Sequence, residues 1–406
     1  MTERPTTVWD ADNPRLQRYW DSTALRSLLA CPYRYYLSNV EGWQTTGQMI
    51  DADFGRIAGE GLEVFYKGII EKGLDHDTAL RHALRTVLQE SWDDTCDKPR
   101  LGNYEAVWHC KGTEKFKNAK GNAAKCPFSH KGKYWAAPGP AYCGQCGSEC
   151  ETWQQWLPAN PAKDRYQLVR LIVWYSEEVK EGYLKPVSFQ DTPDSPHRAL
   201  VEVPWTLPIG RIGGKDFYLC GWFDAVKAVG GAATEAYVTD YKTTKNTLGP
   251  QFFAPFAPDI QVSVYDLAGS QLFKEVLPFE GVAIEGISVT QSGVQFGFQV
   301  FRKTPEQRAE LVKELQTYLT MALQYAEHGY WPMNRASCFL CQFKKVCATT
   351  PADRGRVLEA NFERSRWNPL LRRRESVTGN SATADEAATT IVAGDSGTQA
   401  ADGSVA

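Results

Sequence analysis

Three cysteines that lie close together in sequence set the strongest constraint on how this chain can fold. Cys338, Cys341 and Cys347 occupy the stretch "SCFLCQFKKVC" with the spacing C-x2-C-x5-C. Tetrahedral zinc sites and cubane iron–sulfur clusters normally take four protein ligands, so three thiolates do not close either kind of site. The spacing therefore predicts a metal centre whose fourth ligand comes from another part of the chain.

The chain has 11 cysteines in 406 residues, and we expect all of them to be reduced. No apolar run approaches the length of a membrane span, and the first residues, "MTERPTTVWD", lack the basic and apolar regions of a signal peptide. We therefore expect a soluble, cytoplasmic protein that does not bind a membrane. Thiols stay reduced in that compartment, so clustered cysteines favour metal binding over disulfides.

Apolar periodicity predicts helices and strands in the order of a mixed α/β domain with an insertion. Helices are predicted at 21–40, as two segments within 54–94, from residue 165, at 258–272, and from Thr304 to about His328. Strands are predicted in "ALVEVPWTL", "KDFYLCGWFDAVKAV", "EAYVTDYKTT", "GVAIEGISVT" and "GFQVFRKT".

The same patterns divide the chain into six predicted units. These are an N-terminal extension (1–20), N-terminal helices with a lone cysteine (21–95), a Lys- and Cys-rich insert (96–153), an α/β core that ends with the three cysteines (154–350), a C-terminal extension (351–375) and a tail (376–406). The tail is rich in Ala, Thr, Gly and Ser and has few bulky apolar residues, a composition that predicts disorder.

Candidate catalytic residues concentrate between residues 221 and 265. Asp224 lies in a strand, "GWFDAV", and Asp240 and Lys242 lie two residues apart in the next strand, so their side chains share one face. If the two strands pair as a hairpin, Asp224 reaches the same point. Two carboxylates plus a backbone carbonyl suit Mg²⁺ or Mn²⁺. Gln261 and Tyr265 follow, one turn apart on a helix. Taken singly, a D-x-K in a strand is usually a surface ion pair, and the prediction depends on the order and spacing of all five residues.

In that order and spacing, these residues resemble the RecB-like branch of the PD-(D/E)XK nucleases, whose motifs run G-x-x-D, D-x-K and Q-x-x-x-Y. A subgroup of this branch, which includes the CRISPR adaptation exonucleases and the AddB-type helicase–nucleases, carries an iron–sulfur cluster. Its ligands are one cysteine before the nuclease motifs and three after them, spaced C-x2-C-x5-C. Cys31, in "LLACPYRYYL", matches the lone cysteine. The resemblance runs from about Ser22 to Cys347, without the insert.

The resemblance implies a PD-(D/E)XK restriction-endonuclease-like core, with a mixed central sheet flanked by helices and, here, a metal-stabilised insertion. It also implies a 4Fe-4S cluster on Cys31, Cys338, Cys341 and Cys347, which would hold together segments about 300 residues apart and support the fold. A structural zinc on the same four cysteines is the alternative, because zinc accepts the same thiolates.

The resemblance also implies roles for the candidate catalytic residues. Asp224 and Asp240 would bind Mg²⁺ or Mn²⁺ together with the carbonyl of Tyr241. Lys242 would position the attacking water. Gln261 and Tyr265 would support the site and the DNA backbone.

The first motif of the family, G-x-x-x-H-x-x-L-E, is incomplete in this chain. Gly55, Leu62 and Glu63 are in register, but Gly59 stands where the family has a metal-binding His. Glu60 and Glu63 are the neighbouring carboxylates, and we expect Glu63 to supply the missing ligand, since it lies one turn from Gly59 on the same face of a helix. A weakened or lost metal site is the alternative.

The insert contains a second group of candidate metal ligands. Cys143 and Cys146 form a knuckle-like C-x2-C, with Cys110, Cys126, His130 and Cys150 as candidate partners. A compact segment with little apolar content needs a metal to fold. We expect zinc on Cys110, Cys126, Cys143 and Cys146, with His130 as the first substitute. Seven lysines between 110 and 133 face one acid, Glu114. Lys115, Lys117, Lys120 and Lys125 are therefore predicted to contact DNA phosphates, although such a run is commonly a solvated face.

Three functional hypotheses follow. The first is a Mg- or Mn-dependent deoxyribonuclease, expected to be an exonuclease, that acts in recombination, repair or phage DNA processing in the cytoplasm of a bacterial or phage-infected cell, with a helicase or recombinase as a candidate partner. The second is a DNA-binding module that keeps the metal sites but has lost activity. The third is a redox-responsive iron–sulfur protein that binds a partner.

Overall fold

The structure is a computed structural model. It describes residues 7–46, 50–93, 98–99, 101, 103–111, 126, 135–136, 142–143, 146–157, 162–181, 184–190, 194–229, 235–290, 292–371 and 391–392.

The helices predicted from apolar periodicity are present in the structure. The α-helices are α1 (Ser22–Ala30), α2 (Pro32–Tyr35), α3 (Ile50–Ile70), α4 (His76–Glu90), α5 (Arg165–Glu181), α6 (Pro250–Phe253), α7 (Ile260–Leu272), α8 (Pro305–His328), α9 (Lys344–Ala348) and α10 (Arg354–Asn361). A π-helical segment, Tyr36–Val40, follows α2, and short 3-10 segments occur at Ala254–Phe256, Arg335–Ser337 and Pro351–Asp353.

The strands are distributed over one large sheet and four small ones. They are β1 (Tyr19–Trp20), β2 (Trp43–Thr45), β3 (Trp92–Asp93), β4 (Lys98–Pro99), β5 (Asn103–Cys110), β6 (Trp135–Ala136), β7 (Cys150–Leu157), β8 (Leu184–Pro186), β9 (Ser188–Phe189), β10 (Arg198–Ala199), β11 (Val201–Ile212), β12 (Lys215–Val229), β13 (Ala236–Thr244), β14 (Phe279–Val289), β15 (Val294–Phe301), β16 (Phe362–Arg364) and β17 (Ile391–Val392).

The large sheet is mixed. Its main strands follow the order β15-β14-β13-β12-β11-β17, and β1 and β8 also pair with β12. The pairs β11–β12, β12–β13 and β14–β15 are antiparallel, whereas β13–β14 is parallel, with the crossover made through α6 and α7. The predicted hairpin between the strands of Asp224 and Asp240 is therefore present.

Helices cover both faces of this sheet. Adjacent residues of β12 point to opposite faces, and each of the two packs against a different set of helices. Val226 belongs to an apolar core that includes side chains of α1, α7 and α8, whereas Ala225 belongs to a second core with side chains of α3, α4 and α5. The predicted fold class, a mixed central sheet flanked by helices, is confirmed.

The ends of α8 show how local sequence sets a helix boundary. The Thr304 side chain accepts from the N–H of Gln307, the Gln307 side chain accepts from the N–H of Thr304, and Pro305 occupies the first turn. Gly329, with a φ of 65°, ends the helix in the left-handed conformation that glycine tolerates best. In the part of the chain that the structure describes, no helix is long and apolar enough to cross a membrane.

Candidate active site and metal centres

The candidate active site lies where β12 and β13 separate. The two strands pair from Ala228↔Ala236 to Ala225↔Thr239, and the pairing ends there. Beyond that point β13 continues alongside β14 alone, so Asp240 and Lys242 lie on a strand with one open edge. Asp224 is the next residue of β12 beyond Ala225, where the pairing with β13 ends. The fork therefore brings the residues of two predicted motifs close together.

Hydrogen bonds connect the motif residues across this fork. Asp224 Oδ2 accepts from the backbone N–H of Tyr241 at 2.8 Å, in place of a β12 carbonyl. Gln261 Nε2 donates to Asp240 Oδ1 at 2.9 Å, and Gln261 Oε1 accepts from Lys242 Nζ at 3.2 Å. Lys242 Nζ lies 2.6 Å from Asp240 Oδ2. Asp240, Lys242 and Gln261 thus form one network, and Asp224 is joined to the same strand through the backbone of Tyr241.

Burial controls the charges of this network. Burial raises the pKa of Asp224 to about 7, and the carboxylate of Asp240 acts in the same direction, while Lys242 and the N–H of Tyr241 act against it. Burial disfavours the charged form of Lys242, but the carboxylates of Asp240 and Asp224 outweigh it and raise the pKa of that lysine. A buried carboxylate and a half-buried one that repel each other favour the binding of a cation between them.

The donor set fits a hard divalent cation. Asp240 is 3% exposed, and its buried Oδ2 accepts no hydrogen bond of good geometry from any described group, although Lys242 is close. A buried carboxylate oxygen without a full set of partners is an available ligand, and Mg²⁺ and Mn²⁺ prefer such oxygens. The carbonyl of Tyr241 remains a predicted third ligand.

Helix α7 supports the site from one side. Its N-cap, Asp259, accepts from the N–H of Gln261 at 2.7 Å and forms an ion pair with Arg26 on α1 at 3.0 Å. Tyr265, one turn after Gln261, donates to the carbonyl of Trp222 at 2.8 Å. Because Trp222 precedes Asp224 by two residues, Tyr265 holds the strand that carries the carboxylate. This hydrogen bond of Tyr265 is to the backbone of β12 and not to the side chain of Asp224.

Helix α3 packs against β11 and β13, and Gly59 lies on this helix. The side chain of Glu63, the predicted substitute ligand, is largely buried and forms an ion pair with Lys67 on the same helix at 3.0 Å. Its role as a metal ligand stays a prediction. A methyl group at Gly59 would lie 4.0 Å from Oε1 of Glu202. Glu202 was not among the predicted site residues, and the sequence signal for it is a charged residue within the otherwise apolar strand "ALVEVPWTL".

The structure brings the lone cysteine and the three later cysteines into one region. The backbone N–H of Asn334 donates to Cys31 Sγ at 3.2 Å, and Cys338 Sγ lies 3.8 Å from the carbonyl of Asn334. Burial, and after it the neighbouring Cys341, Cys31 and Cys338, raises the pKa of the Cys347 thiol to about 11. These four cysteines therefore lie close to one another, and the cluster that they would hold stays a prediction.

Asn334 is a structural residue of this region that the sequence analysis missed. Its side-chain Nδ2 donates to the carbonyl of Ala30 at 2.9 Å, next to Cys31, and to Ser337 Oγ at 3.1 Å, next to Cys338. A small apolar core of Leu37, Trp43, Phe343, Val346, Leu358 and Phe362 packs beside Cys341 and Cys347. No spacing rule links Asn334 to Ala30, so the sequence held no usable signal.

A second group of four cysteines lies in the insert. The ligand atoms of Cys110, Cys126, Cys143 and Cys146 all lie within 4.8 Å of one another, and this group could bind a metal ion. Cys110 ends β5, which pairs with β7. Just after Cys146, the N–H of Gly147 donates to the carbonyl of Cys143. The four predicted zinc ligands are therefore brought together.

Hydrogen bonding favours the thiolate of Cys146. Burial alone would raise the pKa of this thiol, but hydrogen bonds from Ser148 and from the Cys110 thiol outweigh it and lower the pKa to about 6. The neighbouring Cys150 behaves in the opposite way, since burial and the nearby thiols raise its pKa. The predicted DNA-contacting residues Lys115, Lys117, Lys120 and Lys125, and the alternative ligand His130, lie outside the described residues.

A family model described as the PD-(D/E)XK nuclease superfamily matches residues 21–348, a range that contains the fork, α7 and all eight cysteines of the two groups. No curated protein is similar enough to count as a match. Among solved structures, the crystal structure of SSO0001 is similar with a TM-score of 0.25 and 15% identity, over 46% of this chain and 69% of that one.

Proposed function

This chain belongs to the PD-(D/E)XK nuclease superfamily, and we propose that it is a divalent-metal-dependent nuclease that hydrolyses phosphodiester bonds in DNA. The observation that carries the proposal is the network of Asp240, Lys242 and Gln261 at the fork between β12 and β13, with Asp224 bound to the backbone of Tyr241 between them. The two carboxylates offer a cation site, and the adjacent ammonium offers positive charge to a reacting phosphate.

Each residue of the network has a distinct role in this proposal. Asp224 and Asp240, with the carbonyl of Tyr241, would hold Mg²⁺ or Mn²⁺. When bound, such a cation lowers the pKa of water and offsets charge on a phosphate. Lys242, held between Asp240 and Gln261, positions the attacking water and stabilises the negative charge that develops on the phosphate. Tyr265 keeps the strand of Asp224 in place through the carbonyl of Trp222.

The two cysteine groups extend the proposal to bound metals with structural roles. Cys31, Cys338, Cys341 and Cys347 would hold a 4Fe-4S cluster, and the group in the insert, Cys110, Cys126, Cys143 and Cys146, would hold zinc. Both groups join segments distant in sequence, so each metal would contribute directly to folding.

The mode and context of cleavage are further parts of the proposal. The motif resemblance supports exonuclease action in recombination, repair or phage DNA processing, with a helicase or recombinase as partner. The insert lysines Lys115, Lys117, Lys120 and Lys125 would bind the DNA backbone, because each phosphate contact releases counterions and strengthens binding at low salt.

One observation favours a second candidate function. Gly59 lacks the imidazole that the resembled motif places among the metal ligands. A site that binds the cation too weakly would leave a DNA-binding module without cleavage activity.

A digestion assay separates the two candidates. The full chain, purified without oxygen to protect the cysteines, is incubated with end-labelled single- and double-stranded DNA, with and without Mn²⁺. We expect Mn²⁺-dependent cleavage, reduced about a thousandfold in Asp240→Asn, which keeps the shape of the side chain and removes its charge. DNA binding without cleavage would support the second candidate, and equal cleavage by Asp240→Asn would refute the proposed active site.

A further inference from the structure

A strained residue lies beside the candidate metal site. Glu202 has a φ of 48°, and among the described residues it is the one non-glycine with a positive φ. The left-handed region is disfavoured for residues with a long side chain, and such strain persists where the surrounding structure holds it, often at functional sites. Regular strand geometry therefore does not account for the conformation of Glu202.

Strand register places Glu202 opposite Asp224. Val201 pairs with Ala225 and Val203 pairs with Phe223 on the antiparallel strands β11 and β12. The intervening residues, Glu202 and Asp224, are therefore cross-strand neighbours, and side chains at such positions can contact each other.

Two further observations place the Glu202 side chain near Gly59 and Tyr265. The nearest described atom outside α3 to a methyl group built on Gly59 is Oε1 of Glu202, at 4.0 Å. After burial, the carboxylates of Asp240, Asp224 and Glu202 all act to raise the pKa of Tyr265. The half-buried Glu202 side chain thus approaches the space that a side chain at Gly59 would enter.

We propose that Glu202 is a ligand of the divalent cation, and that its carboxylate replaces the histidine absent at Gly59; this inference rests on the proposed nuclease function. The site then has three carboxylates, from β11, β12 and β13, and suits a hard cation such as Mn²⁺ or Mg²⁺. The left-handed backbone at Glu202 turns the side chain toward Gly59. Glu63 is the competing candidate, and its ion pair with Lys67 on its own helix offers a different use for its charge.

The test measures Mn²⁺ binding directly, by the electron paramagnetic resonance signal of the free ion, in the full chain. Glu202→Gln keeps the size of the side chain and removes its charge, and we expect it to weaken Mn²⁺ binding at least about tenfold, with a matching loss of Mn²⁺-dependent DNA cleavage. Glu280→Gln, at an exposed position of β14 in the same sheet, is the control and should bind Mn²⁺ as the wild type does, whereas Glu63→Gln tests the competing ligand. Glu202→Asp, a second variant that keeps the charge, should bind with intermediate affinity.

A rescue variant adds specificity. In the double variant Gly59→His/Glu202→Gln, the imidazole enters the space in front of Glu202, and we expect Mn²⁺ affinity to recover at least in part. Wild-type affinity in Glu202→Gln, or loss of affinity in Glu63→Gln instead, would overturn the inference while leaving the nuclease proposal intact. A wild-type chain that neither binds Mn²⁺ nor cleaves DNA would overturn the proposed function itself.

Discussion

Cys31 Sγ accepts a hydrogen bond from the backbone N–H of Asn334 at 3.2 Å, across 303 positions of the chain. The neighbouring backbone repeats the connection, since the N–H of Tyr33 donates to the carbonyl of Pro332 at 3.0 Å. Two hydrogen bonds thus join the segment around Cys31 to the loop before the three cysteines.

The first prediction concerns this junction. Cys31→Ser should remove the brown visible absorption of an iron–sulfur cluster and lower the iron and sulfide content of the purified chain, because a cubane cluster needs all four thiolates. Cys220→Ser is the matched control, since Cys220 is also buried but packs with Val8 and Leu370, and it should retain iron and sulfide. Full iron and sulfide in Cys31→Ser would exclude it as the fourth ligand, and zinc in place of iron would support the alternative metal.

The second prediction concerns Lys242. Lys242→Ala should reduce DNA cleavage about a thousandfold, since the ammonium is needed at the reacting phosphate, and it should leave DNA binding nearly unchanged. Lys245→Ala removes the same charge from an exposed position three residues away and should keep most of the activity. Single-turnover rates for the two variants provide the comparison, and similar rates would argue against a role for Lys242 in the reaction.

The third prediction concerns the insert. The purified chain should contain about one zinc per molecule in addition to iron, and Cys126→Ser should lose that zinc, because a four-ligand structural site tolerates no missing thiolate. Cys150→Ser should keep it, since Cys150 is buried beside the group but is not one of the four. Elemental analysis of the wild type, Cys126→Ser and Cys150→Ser measures the zinc content of each protein. Loss of zinc in Cys150→Ser alone would reassign the ligand set.

The fourth prediction concerns a buried ion pair behind the active-site strand. Lys227 is 1% exposed, pairs with Glu285 and donates to Tyr175 OH at 2.6 Å. Its ammonium also lies 5.0 Å from the ring centre of Tyr241. Lys227→Met should lower the free energy of unfolding by about 3–5 kcal/mol, because it leaves the Glu285 charge without its partner.

The double variant Lys227→Met/Glu285→Leu should recover most of that loss, since it removes both charges. Urea denaturation of the single and double variants gives the coupling free energy. The exposed pair Lys180–Glu177, at 3.0 Å, is the control and should show a coupling below about 1 kcal/mol. Additive effects at Lys227 and Glu285 would show that the pair does not act as a unit.

The fifth prediction is a pH dependence at the N-terminal segment. Burial alone would raise the pKa of Asp10, but hydrogen bonds from Lys215 (2.8 Å) and Arg18 (2.7 Å) outweigh it and lower the pKa to about 2. A carboxyl whose pKa is lower in the folded chain stabilises the fold above its unfolded pKa of 3.8 and loses that effect as the pH falls toward 2.

Asp10→Asn should therefore lower the free energy of unfolding by roughly 1–2 kcal/mol at pH 7. The difference from wild type should shrink as the pH is lowered from 4 toward 2. Urea midpoints at pH 7 and pH 3 measure it, and a difference that does not change with pH would mean that the ion pairs of Asp10 contribute nothing to stability.

The sequence alone determined the elements of the fold and the main residues of the site. Period-2 and helical patterns predicted β12 and α8, and the capping residues around Thr304 marked the start of α8. The i, i+2 spacing placed Asp240 and Lys242 on one face, and the hairpin brought Asp224 to them. These features depend on residues close in sequence or joined by one short turn, so local rules of geometry suffice.

Only the tertiary structure decided which distant groups meet. Asn334 reaches Ala30, Lys227 reaches Glu285, and Glu202 reaches the space at Gly59 because separate elements pack together in one particular register. No periodicity in the chain encodes such pairs, since each depends on the packing of several elements at once. The absence of the motif histidine at Gly59 can be read from the sequence. That Glu202 lies beside Gly59 depends on the pairing of β11 with β12 and on the approach of α3.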